Sequence, residues 1–391
     1  MKILHLLSSR GWGGAENNAV YIAKKQLESG HNVFFFIHSF NSKLINLLNN
    51  YDIPYFSIFD PERKNILAIK KIIGVCKKER IDIIHTHLGT GNYLGVIAGN
   101  YINIPAASSI NIFSGYPYYG SADGLFFTTE AVKRYFVGYF SSDIYKKYKP
   151  SVFENFINKI YKLNFKPEDI NEIMNKSYIV NDMVDERLFV NYSGADDNKN
   201  EFKDFFNIGI TGRLTEQKGH IYFIEAAELM IKSNVEYERN LMFHIVGSGE
   251  DKRKILKILK KKGISTHFKL WGYQSDIRKI VNLFDVAVSC SLNEPFGINN
   301  LEYMLLKKPC IATNTGGIPE VYGDTNILIP PKNALKLKEA IEAYLANPDL
   351  MKEESDKGFL RTSKLFNSDA ILQKILNTYS CLIELRQGRL S

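Results

Sequence analysis

The sequence predicts an α/β chain of two doubly wound, Rossmann-like domains facing each other across a cleft. Three observations carry this. Short apolar runs alternate with longer helical patterns in two successive series, the signature of parallel βαβ units. A polar stretch at 191–203, NYSGADDNKNEFK, separates the series and reads as a linker. The 391 residues are long for one domain and comfortable for two, each able to bury a core.

The first series opens with the strand KILHLL (2–7), a tight loop GWGG (11–14) and the helix 15–29. It continues with the strand NVFFFIH (32–38), the helix 65–79 and the strands IDIIHTH (81–87), AASSI (106–110) and DGLFFT (123–128). A helix starts near Glu130, residues 139–176 form a helical elaboration rich in Tyr, Phe and Lys, and SYIVN (177–181) returns to strand. The first domain is thus expected over 1–190. The second series, 204–365, runs through the strand 206–213, helix 220–232, strand 241–247, helix 250–262 and strand 267–272. Helix 275–284, strand 285–291, helix 298–307 and strand 309–314 follow, and 366–391 forms a helical tail.

Composition narrows the class. A hydrophobic content of 45% with 24% charged residues is ordinary for a soluble globular protein. No apolar run reaches the roughly 18 residues of a membrane-spanning helix. The N-terminal MKILHLLSS leads into a glycine turn, which reads as a buried strand rather than a signal peptide. Cys76, Cys290, Cys310 and Cys381 have no paired spacing, so they are expected as reduced thiols of a cytoplasmic protein. The net charge of +8 favours an anionic partner. That partner could be a nucleotide, a phospholipid surface or a nucleic acid, but no nucleic-acid-binding motif is present.

In open α/β sheets, ligands sit beyond the carboxyl ends of the strands, where helix N-termini converge. The glycine loops fall at such ends: Gly11, Gly13 and Gly14 after the first strand, GRLTEQKG (212–219), GSG (247–249) and GGIPE (316–320). GWGGAE is not the GxGxxG of a dinucleotide site, and no acidic residue follows the second strand to take a ribose. GRLTEQKG puts Arg213 at a strand end and Lys218 before the next helix, which suits phosphate. Glu294 and Glu302 flank the start of helix 298–307 in NEPFGINNLE. A phosphate there would repel both, so hydroxyl pairs suit them better, because a carboxylate accepts two strong hydrogen bonds from a vicinal diol. Two solvated acids on a surface helix are the alternative.

GGAE (13–16), GRLTEQKG, the E-x7-E from Glu294 to Glu302 and TGGIPE (315–320) together resemble the retaining, nucleotide-sugar-dependent glycosyltransferases of family 4. The resemblance covers nearly the whole chain in the expected order. It implies the GT-B fold, a donor site mainly in the second domain, and a metal-independent reaction with no cofactor beyond the donor. By the same resemblance, Glu302 binds the donor ribose, Glu294 the transferred sugar, and Arg213 and Lys218 the diphosphate. Gly13 and Gly14 belong to the first-domain loop whose amide closes onto that diphosphate. Phe296, Gly297 and Ile298 offer backbone N–H groups, Gly247 belongs to the donor loop, and the turn WGY (271–273) with Tyr273 flanks the base, most often uracil. This chain departs from the pattern in two places. Asn111 stands where relatives often carry histidine, and NDMVD (181–185) keeps only part of their NGxD. His85 or His87 fits the family's other histidine, on the acceptor side.

The resemblance implies transfer with retention from a UDP-sugar to a glycan or lipid-linked saccharide, in bacterial surface polysaccharide or lipopolysaccharide biosynthesis. A GT-B nucleotide-sugar epimerase and a non-catalytic sugar-nucleotide-binding subunit are the alternatives. Segment 131–150, AVKRYFVGYFSSDIYKKYKP, interleaves bases with aromatic rings, and FSGYPYYG (113–120) is a second aromatic loop. Both suit peripheral contact with an anionic membrane on its cytoplasmic side.

Overall fold

The computed structural model describes residues 1–59, 65–113, 119, 121–142, 151, 157, 159–161, 170–190, 192, 201–233 and 240–388. It divides into two compact units, Met1–Met183 with Ser368–Ser391, and Val184–Asn367.

The first unit is built from β1 (Lys2–Leu7), α1 (Gly14–Glu28), β2 (Asn32–His38), α2 (Ser42–Asn50), β3 (Tyr55–Ile58), α3 (Ile66–Glu79), β4 (Ile83–His87) and α4 (Gly89–Ile102). Then come β5 (Ala106–Ile110), β6 (Gly124–Phe127), α5 (Glu130–Ser141), α6 (Ile170–Asn175) and β7 (Ser177–Ile179). The seven strands are parallel in the order β3-β2-β1-β4-β5-β6-β7. The order reverses direction between β1 and β4, the switch point where such sheets bind ligands.

α2, β3 and α4 are absent from the sequence expectation. α4, GTGNYLGVIAGNYI, is buried along most of its length and apolar nearly all round, so it offers no amphipathic period to detect. α2 is capped by Asn41, whose side-chain oxygen accepts from the Leu44 amide at 3.1 Å. Most of the expected elaboration at 139–176 lies outside the described residues, as do most of FSGYPYYG and positions 143–150.

The first unit's N-terminal stretch ends at Met183, seven residues before the expected 190, because Val184, just ahead of α7 (Glu186–Phe189), and Phe189 within it are buried in the apolar core of the second unit. β8 (Phe206–Thr211), α8 (His220–Ser233), β9 (Leu241–Val246), α9 (Lys252–Lys262), β10 (Phe268–Gly272), α10 (Arg278–Val281), β11 (Val286–Ser289), α11 (Ile298–Leu305) and β12 (Cys310–Thr313) follow. α10 is only four residues long where a helix over 275–284 was expected. The Asp276 carboxylate accepts from the backbone N–H of Arg278 at 3.1 Å, which fixes a turn instead of a longer helix. The series does not end at 314 either. α12 (Ile318–Tyr322), β13 (Ile327–Ile329), α13 (Ala334–Ala346) and α14 (Pro348–Leu365) complete it. All six strands are parallel, in the order β10-β9-β8-β11-β12-β13.

The tail, expected as a helix of unassigned docking, is α15 (Ser368–Gly388), and it belongs to the first unit. Its face Ile371, Leu372, Ile375, Leu376, Tyr379 and Leu382 is buried with Ile3, Ile83, Ala107 and Phe126. Ion pairs from Lys25 to Asp369 and from Arg386 to Asp123 flank that apolar seam.

Candidate active site

The switch point of the second sheet lies between β8 and β11, and the loops leaving those two strands carry Arg213, Lys218 and Glu294. Leaving β8, the chain is stitched to the loop after β9. The amide of Gly212 donates to the Val246 carbonyl at 2.9 Å, and that of Leu214 to Ser248 at 2.9 Å. Gly247 makes the approach possible. It adopts φ +141°, and a Cβ there would stand 1.8 Å from the Gly212 carbonyl oxygen. Its own amide donates to Gly272 at 2.8 Å, which ties in the WGY turn.

In that turn the Trp271 indole donates to His244 Nδ1 at 3.1 Å, so its polar edge is already used. Burial holds His244 down to about 3, and it remains a neutral acceptor. Tyr273 is the exposed ring of the three-residue turn.

The Lys218 stem lies over Gly212, and its ammonium pairs with Glu294 Oε2. Ser291 Oγ donates to the same oxygen at 3.0 Å. Glu294 Oε1 has no partner among the described residues. The Lys218 side chain is only 22% exposed, against 11% for Glu294. The reason is the 3₁₀ turn Glu216–Lys218, which folds the lysine inward, whereas Arg213 remains exposed with no ion pair to any described residue. The backbone of Glu294 is held as firmly as its side chain. Its carbonyl accepts from Gly317 at 2.8 Å, and Gly316, at φ +58°, leaves no room for a Cβ, which would stand 2.1 Å from that oxygen. This is the structural use of TGGIPE.

Gly297 caps α11, and the amides of the first turn point out of its N-terminus. Phe296 is buried and packs edge-on against Phe366, so only its backbone can serve a ligand. The helix is bolted to β8 by Tyr303, whose hydroxyl accepts from the Thr211 amide at 2.8 Å and meets Thr211 Oγ1 at 2.6 Å. Glu302, next along the helix, keeps some exposure, but its carboxyl is desolvated and has no hydrogen-bond partner among the described residues. Burial pushes it up to about 8. Tyr303, Ser291 and Thr211 escaped sequence reasoning, since an isolated hydroxyl near a strand end carries no signal.

In the first unit, Gly13 caps α1 and Gly14 opens it. Asn111 does not project freely from β5. Its Nδ2 donates to Asp182 Oδ1 at 2.7 Å, and Asn18 donates to the same oxygen at 2.6 Å. Asn181 donates to the Thr128 carbonyl at 2.8 Å. The NDMVD segment therefore ties β5 and α1 together.

His87 ends β4, fully buried in a cluster with His5 and His85. Ring nitrogens of the three come within 4.8 Å of one another, a spacing that could also hold a metal ion. The nitrogens facing each other are nonetheless engaged. His5 bridges His87 Nε2 at 2.9 Å and the Gln26 side-chain oxygen at 2.7 Å, while His85 bridges Ser109 and the Tyr379 hydroxyl. The Gln26 oxygen can only accept, so His5 donates to it from Nε2 and accepts from His87 through Nδ1. The cluster is then satisfied with every ring neutral, and burial holds all three below the usual histidine range, His5 at about 4.

Two family models match the chain: "Glycosyl transferases group 1" over residues 194–359 and "Glycosyltransferase Family 4" over residues 12–145. Among curated proteins, the putative glycosyltransferase EpsD of Bacillus subtilis is 27% identical over 47% of this chain and 47% of its own length. The poly(ribitol-phosphate) α-N-acetylglucosaminyltransferase of Staphylococcus aureus is 28% identical over 44% of this chain and 35% of its own. The chain thus spans about half or less of the length of these relatives. Solved structures match along the chain: HepE of Anabaena in complex with UDP (TM-score 0.77, 18% identity, 97% of this chain and 100% of that one) and a glycosyltransferase of Rickettsia africae (0.77, 20%, 98% of each). Two parallel Rossmann-like units, matched in turn by the models of both halves, identify the chain as a family 4 glycosyltransferase of the GT-B fold.

Proposed function

We propose that the chain transfers a sugar from a nucleotide-diphosphate sugar, with UDP as the nucleotide, to a saccharide or lipid-linked saccharide, retaining the anomeric configuration. The carrying observation is the state of Glu302: a desolvated carboxyl with no partner among the described residues, one helical turn inside the N-terminus of α11. Such a group is completed by a ligand that brings hydroxyls, and a ribose diol does so. Glu294 offers its remaining oxygen to hydroxyls of the transferred sugar, while Lys218 neutralises it.

The departing diphosphate gathers charge as the glycosidic C–O bond breaks. Arg213, Lys218 and the first amides of α11 stabilise that charge without a metal ion. The acceptor hydroxyl attacks from the face the diphosphate leaves and passes its proton to a departing phosphate oxygen, which gives retention. Among relatives, HepE has been crystallised with UDP-glucose, and the Rhizobium meliloti match is a lipopolysaccharide core biosynthesis glycosyltransferase. The first supports a UDP-sugar donor, and the second supports a role in bacterial surface polysaccharide assembly.

The test is a panel of nucleotide sugars assayed with a saccharide acceptor and with none, and product stereochemistry read by NMR. Stabilisation by UDP but not by other nucleotides, an α-linked product from an α-donor, and activity unchanged by EDTA are expected. Conversion of the donor's sugar without acceptor would make the chain an epimerase, and binding without turnover a sugar-nucleotide-binding subunit.

A further inference from the structure

α9 departs from what a surface helix should carry. Its sequence, KRKILKILKKK, has seven bases and no acid in 11 residues. The whole chain has 50 bases against 42 acids, so outside this helix 43 bases face 42 acids, a net of +1. The basic character of the protein is the character of one helix.

Its apolar face is already used, since Ile255 and Leu259 are buried in the core. The bases therefore lie on the outer side, where Lys252, Arg253, Lys254, Lys257, Lys260 and Lys261 are exposed. Only Lys262 pairs, with Glu228; the other six form no ion pair with a described residue.

Folding alone does not explain this pattern. Bases in the last turn complement the helix dipole, which accounts for Lys260, Lys261 and Lys262. Lys252, Arg253 and Lys254 occupy the first turn, where the dipole disfavours cations, with only Asp251 and Glu250 just ahead of them. Arg253–Lys257 and Lys257–Lys261 are like-charge pairs at i,i+4, which repel. In the midst of these bases Leu256 is 48% exposed.

We propose that α9 docks the second unit onto an anionic lipid surface, its bases on the headgroups and Leu256 at the acyl boundary. This deepens the membrane contact in the reading above and assigns it to the second unit instead of the segment at 131–150. Charge complementarity selects an anionic partner, and the side chains select lipid over nucleic acid. Six of the seven bases are lysines, which act as point charges on phosphate rather than as bidentate readers of base edges. No aromatic ring on the helix offers a stacking platform for bases.

The experiment is co-sedimentation of the full chain with phosphatidylglycerol/phosphatidylcholine vesicles and with pure phosphatidylcholine, at 100 and 500 mM salt. Each base near an anionic surface is worth about fivefold in partitioning, so R253E/K257E/K260E should bind at least roughly 100-fold more weakly than the parent. Leu256→Gln should weaken binding by less, without changing its salt dependence. The triple variant turns the repulsion between positions 257 and 261 into an attraction and leaves positions 253 and 257 a like-charge pair, so its melting temperature should stay close to the parent's, which separates lost docking from lost folding. UDP binding should be unchanged in it, so failure of the donor reading and failure of this one appear in different readouts. Three results would overturn the proposal: no preference of the parent for anionic vesicles, undiminished binding by the triple variant, or tighter binding to a single-stranded oligonucleotide than to vesicles at equal salt. Loss of vesicle binding on reversing Lys133 and Arg134 in α5, with the α9 variant unaffected, would also overturn it by moving the contact to the first unit.

Discussion

Glu302→Gln should stabilise the second unit by an amount that grows with pH. In the unfolded chain a glutamic acid sheds its proton near 4.5, whereas in the folded unit burial holds the proton up to about 8. As pH rises the unfolded state loses its proton first, so this carboxyl's contribution to folding is intact below about 4.5 and falls away between there and 8. At pH 7 the separation amounts to about 2.5 decades, which at about 1.4 kcal/mol per decade is an upper figure of about 3 kcal/mol. Glutamine has nearly the same shape and no proton to lose. The variant should therefore match the parent near pH 4.5 and exceed it progressively up to pH 8. Urea denaturation followed by tryptophan fluorescence measures this in one unit at a time, because Trp12 belongs to the first unit and Trp271 to the second.

The same carboxyl makes nucleotide binding pH-dependent in the parent alone. The empty site holds Glu302 mostly protonated at pH 7, and a diol that donates two hydrogen bonds favours the carboxylate. Binding then releases a proton, and affinity for UDP should rise roughly fivefold from pH 7 to pH 8. The ionisation of the nucleotide phosphates is common to parent and variant, so Glu302→Gln serves as the control. A stability difference that does not vary with pH, or a UDP affinity whose pH profile is the same in both proteins, would refute the assignment.

Arg213→Ala should lower turnover with a stability change within about 0.5 kcal/mol, because the side chain is exposed; a strongly destabilised variant that is fully active when folded would make the residue structural. Lys218→Ala should lower turnover and also cost roughly 1–3 kcal/mol, since it leaves a buried Glu294 without its cation. Restored stability in the double variant Lys218→Ala/Glu294→Gln checks that cause. The first unit should lose stability as pH falls from about 6.5 toward 4: the unfolded histidines take up protons there, while His5, His85 and His87 stay neutral in the fold. For His5 alone the loss between pH 7 and pH 5 is about 2 kcal/mol, and a Trp12-reported midpoint that does not move over that range would contradict the neutral network.

The elements most legible in the sequence were the short, continuous apolar runs bounded by turn residues. The strands β1, β2, β8 and β9 begin where the pattern puts them, because a parallel strand buried on both faces is a short apolar run bounded by turn residues. α4 left no such trace because it is buried nearly all round. α13 and α14 follow the three-residue strand β13, too short to announce another βα unit. The boundary between the units was misplaced by seven residues for a related reason. Polarity locates a linker, but the short helix α7 ahead of it is assigned by where Phe189 and Val184 are buried, and burial is decided by residues about a hundred positions away.

The candidate site divides along the same line. Strand-end position and residue type could be read from sequence, and they were enough to single out Arg213, Lys218, Glu294 and Glu302. What those groups do to one another could not. Lys218 and Glu294 are 76 residues apart, and their pairing changes the lysine from a free phosphate ligand into one that also holds a sugar-binding carboxylate in place. Glu302 shows the limit most sharply. Its spacing from Glu294 suggested a hydroxyl-binding carboxylate, but a solvated acid on a surface helix would have the same spacing. The two readings separate only through desolvation and the lack of a described partner, and these are properties of the packing of α11 against β8 through Tyr303 and Thr211. A carboxyl that is kept protonated until a ligand supplies its hydrogen bonds gains most of its charge-assisted bonding on binding. The desolvation that lowers the folded unit's stability above pH 4.5 is therefore the same feature that favours a diol over water at this position.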